Sequence, residues 1–241
     1  MIRKLKDIYH RQAFYPGFIG IFVNPFYHAR LGLRKAMSRF SSELKGRLLD
    51  VGCGSKPYQE LFVVDEYIGL DIDSEASRNR KIADYFYDGK TFPFNEDEYD
   101  SVLCNQVLEH VFNPDEFLSE IKRVLKPGGR LLLTVPFVWD EHEQPHDYAR
   151  YSSFGLKALL DKNGFNVIGY KKIGADASII FQLINAYLYK IFVKWPLPIR
   201  VLTTMSLMSL FNLLGIMLGM LLPRNPDLFL DQIVLAEKTD E

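Results

Sequence analysis

The sequence predicts an α/β fold with a doubly wound, mostly parallel seven-stranded sheet, and three stretches lead to this prediction. The stretch LLDVGCGSKPY, residues 48–58, joins an apolar run to an acidic residue and a glycine-rich turn. A buried parallel strand that delivers the chain to a ligand is expected to have this pattern. Residues 67–72 (YIGLDI) also end with an acid followed by one apolar residue. Residues 130–135 (RLLLTV) are apolar enough to be buried on both faces.

Strands and helices are expected to alternate along the chain, which is typical of a parallel sheet with helices on both faces. The predicted strands are residues 47–51, 67–72, 82–87, 100–105, 130–135, 165–173 and 232–237. An amphipathic helix is predicted over residues 29–40. The best-marked helix has Asn113 as N-cap and Pro114 at its first position, and another runs from Ser152 or Ser153 to Lys162.

Changes in composition divide the chain into four segments. Residues 1–44 are expected to form an aromatic and helical N-terminal cap, of which residues 1–30 are mostly irregular. Residues 45–174 form the core of the predicted sheet, and residues 175–230 are an apolar helical insertion. Residues 231–241 supply the final strand of the core sheet and a tail.

Composition excludes several classes of protein. The formal net charge of −1 argues against a nucleic-acid-binding protein, although the first 47 residues are rich in lysine and arginine. Cys53 and Cys104, the two cysteines, indicate neither a disulfide scaffold nor a metal site. No secretory signal is evident at the N-terminus, so the cytoplasm is expected, with the inner face of the membrane as the alternative location.

Four motifs occur in order and at matching spacing: LLDVGCG, YIGLDI, DGKTFPF with YDSVLCNQVLEHV, and EIKRVLKPGGRLLLTVP. Together they resemble a class I S-adenosylmethionine-dependent methyltransferase of the methyltransferase type 11 kind. The resemblance is specific over residues 48–136 and weaker elsewhere. It implies a Rossmann-like sheet, S-adenosylmethionine as cofactor and methyl transfer as the activity.

The resemblance also implies a set of cofactor-binding residues: Asp50, Gly52, Cys53, Gly54, Lys56, Asp71, Ile72, Asp88, Gly89, Asn105 and Gln106. Asp50 and the glycine turn would meet the methionine end of the cofactor. Asp71 would accept hydrogen bonds from the ribose hydroxyls, and Asp88 with Gly89 would lie beside the adenine. Asn105 and Gln106 would line the floor near the reacting methyl group.

One position departs from the pattern of the family. Such families usually have a third glycine where this chain has Lys56, which would either reach the cofactor carboxylate or point to solvent. His110 of the LEH stretch is interpreted as structural, because it precedes the helix that packs on the sheet.

Residues 141–151, which follow the fifth strand, are dense in ionisable and aromatic groups. The candidate catalytic residues there are His142, His146, Asp147, Tyr148 and Arg150. In one hypothesis a histidine is the general base, Asp147 orients it and Arg150 holds an anionic group of the acceptor. In the alternative, Asp147 and Arg150 form a salt bridge that fixes the loop. The two histidines could also bind a metal, but no third ligand is evident, so no metal is expected.

The apolar stretch 175–223 is the second unusual region. Residues 201–222 carry no charge and are long enough to span a membrane. A single crossing would place the last strand on the wrong side of the bilayer, which leaves a membrane hairpin, a monotopic helix or a soluble helical lid. In a fold of this kind the insertion is expected to wall the acceptor pocket, and to contact a lipid-like acceptor, a membrane surface or a second copy of the chain.

Methyl transfer to oxygen or nitrogen of a small-molecule, sugar or lipid-linked acceptor is therefore the leading prediction. A binding scaffold without turnover is one alternative. An NAD(P)-dependent oxidoreductase is another, although Pro57 stands where a dinucleotide fingerprint needs glycine.

Overall fold

The computed structural model describes residues 2–239, with side chains from residue 8 onward. It contains a seven-stranded sheet in the order β3-β2-β1-β4-β5-β7-β6. The strands are β1 (Arg47–Val51), β2 (Glu66–Ile72), β3 (Tyr85–Tyr87), β4 (Tyr99–Asn105), β5 (Leu125–Pro136), β6 (Phe165–Ile173) and β7 (Asp231–Lys238). The predicted fold class is confirmed, and each of the seven predicted strands has an observed strand at its place, although β5 begins at Leu125 rather than at residue 130.

The pairing of the strands makes the sheet mostly parallel. β1 pairs in parallel with β2 and β4, β2 with β3, and β4 with β5. β7 is antiparallel to β6, because Leu230 N donates to Ile173 O (2.9 Å) at one end of the pair and Thr239 N donates to Gly164 O (3.0 Å) at the other. The last strand therefore runs back between its neighbours.

Nine α-helices accompany the strands in the described residues. They are α1 (Ile2–Phe14), α2 (Gly20–Val23), α3 (Tyr27–Phe40), α4 (Glu75–Arg80), α5 (Pro114–Val124), α6 (Ser153–Lys162), α7 (Ser178–Phe192), α8 (Leu197–Thr203) and α9 (Ser209–Leu221). A π-helical turn, Thr204–Met208, joins α8 to α9, so that Leu197–Leu221 is one helix of 25 residues. Of the two predicted N-cap residues of α6, Ser152 is the one observed. Its hydroxyl oxygen accepts a hydrogen bond from Gly155 N at 3.1 Å.

Two local predictions are wrong. Residues 1–30 were expected to be mostly irregular, yet α1 covers Ile2–Phe14 and α2 covers Gly20–Val23. The apolar residues of α1 recur at helical spacing, which its high aromatic and basic content obscures. The third strand was expected from residue 82 but begins at Tyr85, because the Asp84 carboxylate instead accepts a hydrogen bond from Gly69 N of β2 at 2.7 Å.

The chain divides into two compact units. The sheet unit contains residues 37–137, 141–171 and 232–239, and the helical unit contains residues 2–36, 138–140 and 172–231. In the sheet unit, α5 buries Phe117, Leu118, Ile121 and Val124. These side chains join one core with the apolar residues of β1, β4 and β5. This burial holds the central strands in register.

Two helices of the helical unit, α7 and α9, bury polar side chains. Gln182 and Asn185 of α7 and Asn212 of α9 are each at most 1% exposed. Gln182 Oε1 accepts hydrogen bonds from His28 N (3.0 Å) and Ala29 N (3.2 Å) at the start of α3. These amides therefore bond the backbone at helix ends, where donors and acceptors lack partners within the helix.

Asn212 has a matching role near the end of α2. Its Nδ2 donates to Ile21 O (2.8 Å) and to Asn24 O (3.0 Å). Its Oδ1 accepts from Asn185 Nδ2 at 3.0 Å. The polar side chains of the two apolar helices thus hold the N-terminal helices through buried hydrogen bonds.

Replacing Asn212 by leucine tests this arrangement. In an ordinary amphipathic helix a buried Asn→Leu change is tolerated, but here it removes three buried hydrogen bonds. We expect Asn212→Leu to lower the free energy of unfolding by roughly 2–4 kcal/mol. Leu213→Asn, at the neighbouring position that is 43% exposed, should change it by less than about 0.5 kcal/mol. Chemical denaturation of both variants is the measurement, and a neutral Asn212→Leu would contradict this arrangement.

Candidate functional site

The register of the parallel strands places the predicted cofactor residues at one edge of the sheet unit. Val51 of β1 is paired with Leu70 of β2 and Cys104 of β4. The next residues along the three strands are Gly52, Asp71 and Asn105, which therefore come to the carboxyl edge together. In open α/β sheets this edge is where ligands bind.

The glycine turn after β1 depends on conformations and close contacts that glycine allows. Gly52 and Gly54 have φ angles of +70° and +52°. A Cβ at Gly52 would lie 2.4 Å from Val107 Cγ2. The neighbouring Cys53 is buried, and burial is the main cause that raises the pKa of its thiol to about 12. The thiol is therefore neutral and packs as a small apolar group.

Asp50 is a buried carboxylate directly below this turn. It is 4% exposed and accepts a hydrogen bond from Tyr67 Oη at 2.7 Å. Burial raises the pKa of Asp50 to about 7, against the lowering effects of the Tyr67 hydrogen bond and of the Lys56 charge. The carboxyl group is thus poised to titrate near neutral pH, and a cation beside it would favour the charged form.

Lys56, the residue that departs from the family pattern, forms a salt bridge with Asp84 of the sheet unit. Its Nζ is 2.5 Å from Asp84 Oδ2, and its side chain is 11% exposed. The stem of Lys56 crosses β2 at Gly69, where a Cβ would be 2.3 Å from Lys56 Cε. Lys56 therefore ties the glycine turn to the segment before β3. Its predicted contact with the cofactor stays a prediction.

Asp71 and Ile72 end β2. Asp71 is 7% exposed, and its Oδ1 accepts a hydrogen bond from Ile72 N at 2.9 Å. Its Oδ2 is 3.8 Å from the guanidinium of Arg80. The Ile72 side chain is half-exposed, and its Cδ1 lies 3.6 Å from where a Gly89 Cβ would be. A carboxylate beside an open apolar surface fits a ligand with a diol and an aromatic base.

Asp88 lies just after β3, next to Gly89. It is exposed, and its Oδ1 accepts hydrogen bonds from Lys90 N (2.9 Å) and Thr91 N (3.2 Å). These two backbone hydrogen bonds lower the pKa of Asp88. Asp88 therefore fixes its own turn with one oxygen, and the other carboxylate oxygen is the one left to meet an adenine amino group as predicted.

Asn105 and Gln106 follow β4 and are held by Thr134 of β5. Asn105 Oδ1 accepts from Thr134 Oγ1 at 2.8 Å, and Gln106 N donates to Thr134 O at 3.0 Å. Gln106 has a φ of +56°, which is unusual for a residue with a side chain. Strained backbone of this kind persists where the surrounding structure fixes it, and it is frequent at ligand sites.

The 141–151 loop contains one tightly bonded set of candidate catalytic residues. Arg150 donates two parallel hydrogen bonds to Asp147, at 2.6 Å to Oδ1 and 2.7 Å to Oδ2. His142 Nδ1 is 3.3 Å from Asp147 Oδ2. The Asp147 side chain is 4% exposed, and the Arg150 hydrogen bond is the main cause that holds its pKa well below the usual range. Asp147 therefore stays ionised beside the His142 ring.

This geometry supports some of the roles predicted for the loop residues and not others. The guanidinium of Arg150 is bonded to Asp147, as the salt-bridge alternative expected, rather than directed to an anionic acceptor group. Asp147 is nevertheless placed to orient His142. His146 is exposed, and its Nδ1 contacts Tyr148 Oη at 3.0 Å. His142 and His146 are thus in different environments.

Glu109 and His110, which follow β4, anchor this loop. The sequence indicated a structural role for His110 but no role for Glu109. Glu109 O accepts hydrogen bonds from Tyr148 N (2.8 Å) and Ala149 N (3.2 Å). His110 Nδ1 is 2.7 Å from His146 O, and burial is the main cause that lowers the pKa of His110. This supports the structural interpretation of His110. Glu109 is fully buried, and its place in the LEH stretch directly after the apolar Leu108 was the one sequence signal.

Among the described residues, Glu109, His110 and His142 have the chemistry to bind a metal ion. Their ligand atoms lie within 4.8 Å of one another. Two ligands of one tetrahedral zinc ion lie about 3.3 Å apart, given bonds of about 2.0 Å. The side chains would have to move together before an ion could join all three, so the arrangement by itself does not indicate a metal centre.

A family model described as a methyltransferase domain matches residues 26–169, more than half of the chain. The chain is similar to the O-methyltransferase rstn1 of Aspergillus nomiae, with 29% identity covering 58% of this chain and 73% of that protein. It is also similar to demethylmenaquinone methyltransferase of Renibacterium salmoninarum, with 34% identity covering 52% of this chain and 55% of that protein.

A solved structure gives the same fold. Phosphoethanolamine N-methyltransferase 2 of Haemonchus contortus, in complex with S-adenosyl-L-methionine, superposes with a TM-score of 0.57. The match covers 98% of this chain and 57% of that chain, with 18% sequence identity. At this identity the superposition supports the fold, and the family match identifies the class of enzyme.

The titration of Asp50 leads to a prediction about stability. Because its pKa is raised from 3.8 to about 7, the folded state binds this proton more tightly and loses stability as pH rises through that range. Asp50→Asn keeps an acceptor for Tyr67 and removes the charge. The gain in unfolding free energy from Asp50→Asn should be about 2 kcal/mol larger at pH 8 than at pH 5.5.

Denaturant unfolding at the two pH values measures this difference. Asp65→Asn, at an exposed position of the same unit, is the matched control and should give nearly the same effect at both. A pH-independent effect of Asp50→Asn would show that Asp50 ionises without a cost from burial.

Proposed function

The chain belongs to the methyltransferase-domain family, as a class I S-adenosylmethionine-dependent methyltransferase, and we propose that it methylates a hydroxyl oxygen of a small or lipid-linked acceptor. In this proposal His142 of the sheet unit is the base that removes the hydroxyl proton. The observation that carries the proposal is the contact of His142 with Asp147, a buried carboxylate that Arg150 keeps ionised.

The residues at the carboxyl edge fit the family's cofactor. Asp71, with a nearly buried carboxylate at the end of β2, would bind the ribose hydroxyls, and Ile72 and Gly89 would contact the adenine. Asp50 and the Gly52–Gly54 turn would lie at the methionine end, where a cationic amino group favours ionised Asp50. When bound, S-adenosylmethionine supplies an activated methyl group, so the protein's part is to align the acceptor and exclude water.

A general base is needed only when the acceptor atom carries a proton at the working pH. His142 Nδ1 lies 3.3 Å from Asp147 Oδ2 and 3.5 Å from Arg150 Nη2. In the tautomer that this proposal requires, the hydrogen on Nδ1 is directed to Asp147, which leaves the lone pair of Nε2 to accept a proton. The same relation of imidazole to carboxylate orients the base in other enzymes. In the described loop, His146 Nδ1 contacts the hydroxyl of Tyr148 rather than a carboxylate.

The choice of oxygen has support from one relative, which is named an O-methyltransferase. Another relative is named for demethylmenaquinone, so the same domain also serves other acceptors. A hydroxyl is the acceptor for which the His142–Asp147 contact has a chemical use. A carboxylate acceptor is already ionised near pH 7 and needs no base.

Two matched histidine variants test the proposal. Formation of S-adenosylhomocysteine would be measured with a panel of phenols, sugar-linked isoprenoids and fatty acids. With a hydroxyl acceptor we expect His142→Gln to lower kcat by roughly 10²–10⁴-fold. His146→Gln should lower it by less than about threefold, because the His146 backbone carbonyl still bonds His110.

Calorimetric affinity for S-adenosylhomocysteine must be unchanged in both variants for the comparison to hold. Equal rates for His142→Gln and the wild type on a hydroxyl acceptor would contradict the role of His142. If no acceptor yields product while the cofactor binds, the sheet unit is a binding scaffold, and the proposed reaction is wrong.

A further inference from the structure

We propose that the helical unit binds the surface of a lipid bilayer through the outward apolar face of α7, α8 and α9. This goes beyond the proposed reaction, which concerns only the sheet unit. The basis is the inverted polarity of these helices. A helix that packs on a protein core and faces water buries its apolar side and exposes its polar side. α9 does the reverse, and α7 does so in part, because their buried residues are mostly polar or small.

The buried side of these helices consists mostly of polar or small residues, apart from Ile179 of α7 and Met208 of the π-helical turn. The buried residues of α9 are Ser209, Asn212 and Gly215. Those of α7 are Ser178, Ile179, Gln182, Asn185 and Ala186. The amides bond backbone groups of the N-terminal helices, as described above, so this side already has its protein partner.

The outward side is apolar along the whole length of the segment. The exposed large apolar residues of α8, the π-helical turn and α9 are Leu197, Ile199, Val201, Leu202, Met205, Leu207, Leu210, Leu213, Met217, Met220 and Leu221. Only 22% of the most apolar 18-residue window of this 25-residue helix is buried. An exposed apolar surface of this extent marks an interaction site.

The placement of the helix favours a position in the bilayer interface rather than a crossing. Leu197–Leu221 is long and apolar enough to span a membrane. Its buried face, however, contains Asn212, which bonds the backbone of Ile21 and Asn24. A helix held by protein along one side and apolar on the other is suited to lie in the plane of the bilayer surface.

Charge and aromatic residues favour lipid over a second copy of the chain. Residues 177–222 contain no acid and three cations: Lys190 in the last turn of α7, Lys194 after that helix and Arg200 in α8. Lys190 Nζ lies 3.3 Å from Asp140 Oδ2, so Lys194 and Arg200 are the cations that carry this argument. Two copies joined through this face would add Lys194 and Arg200 from each copy to an interface to which residues 177–222 contribute no acid. Anionic lipid head groups would attract these charges, and Trp195, which is 48% exposed, is a residue type typical of membrane interfaces.

A cavity of about 410 Å³ in the helical unit gives this surface room for an acyl chain. It is lined mainly by apolar side chains, among them Val23, Phe192 and Met208, with Arg200 as its cation. The π-helical turn Thr204–Met208 contributes to its wall. Turns of this kind are frequent at functional sites.

Vesicle flotation tests the proposal with the full chain. Wild-type protein should float with vesicles of phosphatidylcholine and phosphatidylglycerol, and more weakly with phosphatidylcholine alone. Leu213→Glu with Met217→Glu places charge on the outward face and should lower the partition coefficient by more than about tenfold. Val63→Glu, at an apolar side chain of the sheet unit that is 94% exposed, is the matched control and should change it little.

Fluorescence gives a second readout that needs no disruptive variant. Trp139→Phe leaves Trp195 as the single tryptophan, and brominated phosphatidylcholine should quench it on vesicle binding. Absence of flotation and of quenching would overturn the proposal. It would also be overturned if sedimentation showed a wild-type dimer that the double variant dissociates, while vesicles bind neither form. Affinity for S-adenosylhomocysteine should be the same in all variants, which separates this test from that of the reaction.

Discussion

The parallel pairing of β1 with β2 and β4 is the constraint on which the candidate site depends. Because Val51, Leu70 and Cys104 share one row of the sheet, the residues that follow them reach the same edge. The glycine turn, the carboxylate of Asp71 and the amide of Asn105 are thereby brought together from three separate segments. Apolar burial on both faces of these strands fixes the row, since a shift of one residue would move every side chain to the opposite face and break the close packing of both layers.

Both units bury polar groups, but with different consequences. In the sheet unit, burial raises the pKa of Asp50 and leaves a carboxyl group that a cationic ligand can stabilise in its charged form. In the helical unit, the buried amides of Gln182 and Asn212 are satisfied by backbone groups. In the sheet unit, Asp50 is thereby available to a ligand. In the helical unit, the polar side of the helix is bonded within the protein and the apolar side faces outward.

Much of the sheet unit could be predicted from the sequence, because its signals are local. The acids at the ends of β1 and β2 and directly after β3, the glycine turn and the Asn113-Pro114 helix start are read from neighbouring residues. Contacts between distant segments could not be predicted. No pattern links Lys56 to Asp84 or Glu109 to the 141–151 loop. The inverted polarity of α9 was also hidden, since a run of apolar residues with scattered Asn and Ser predicts a helix without saying which side is buried.

We propose that the carboxyl edge of the sheet unit binds S-adenosylmethionine and that Asp71 accepts hydrogen bonds from its ribose hydroxyls. Calorimetric titration of wild-type protein and Asp71→Ala with S-adenosylhomocysteine and with NAD tests it most directly. We expect the wild type to bind S-adenosylhomocysteine but not NAD, and Asp71→Ala to bind S-adenosylhomocysteine roughly 10–100-fold more weakly, as for the loss of hydrogen bonds to a charged group. Equal affinity of a folded Asp71→Ala variant, or tighter binding of NAD by the wild type, would contradict the claim.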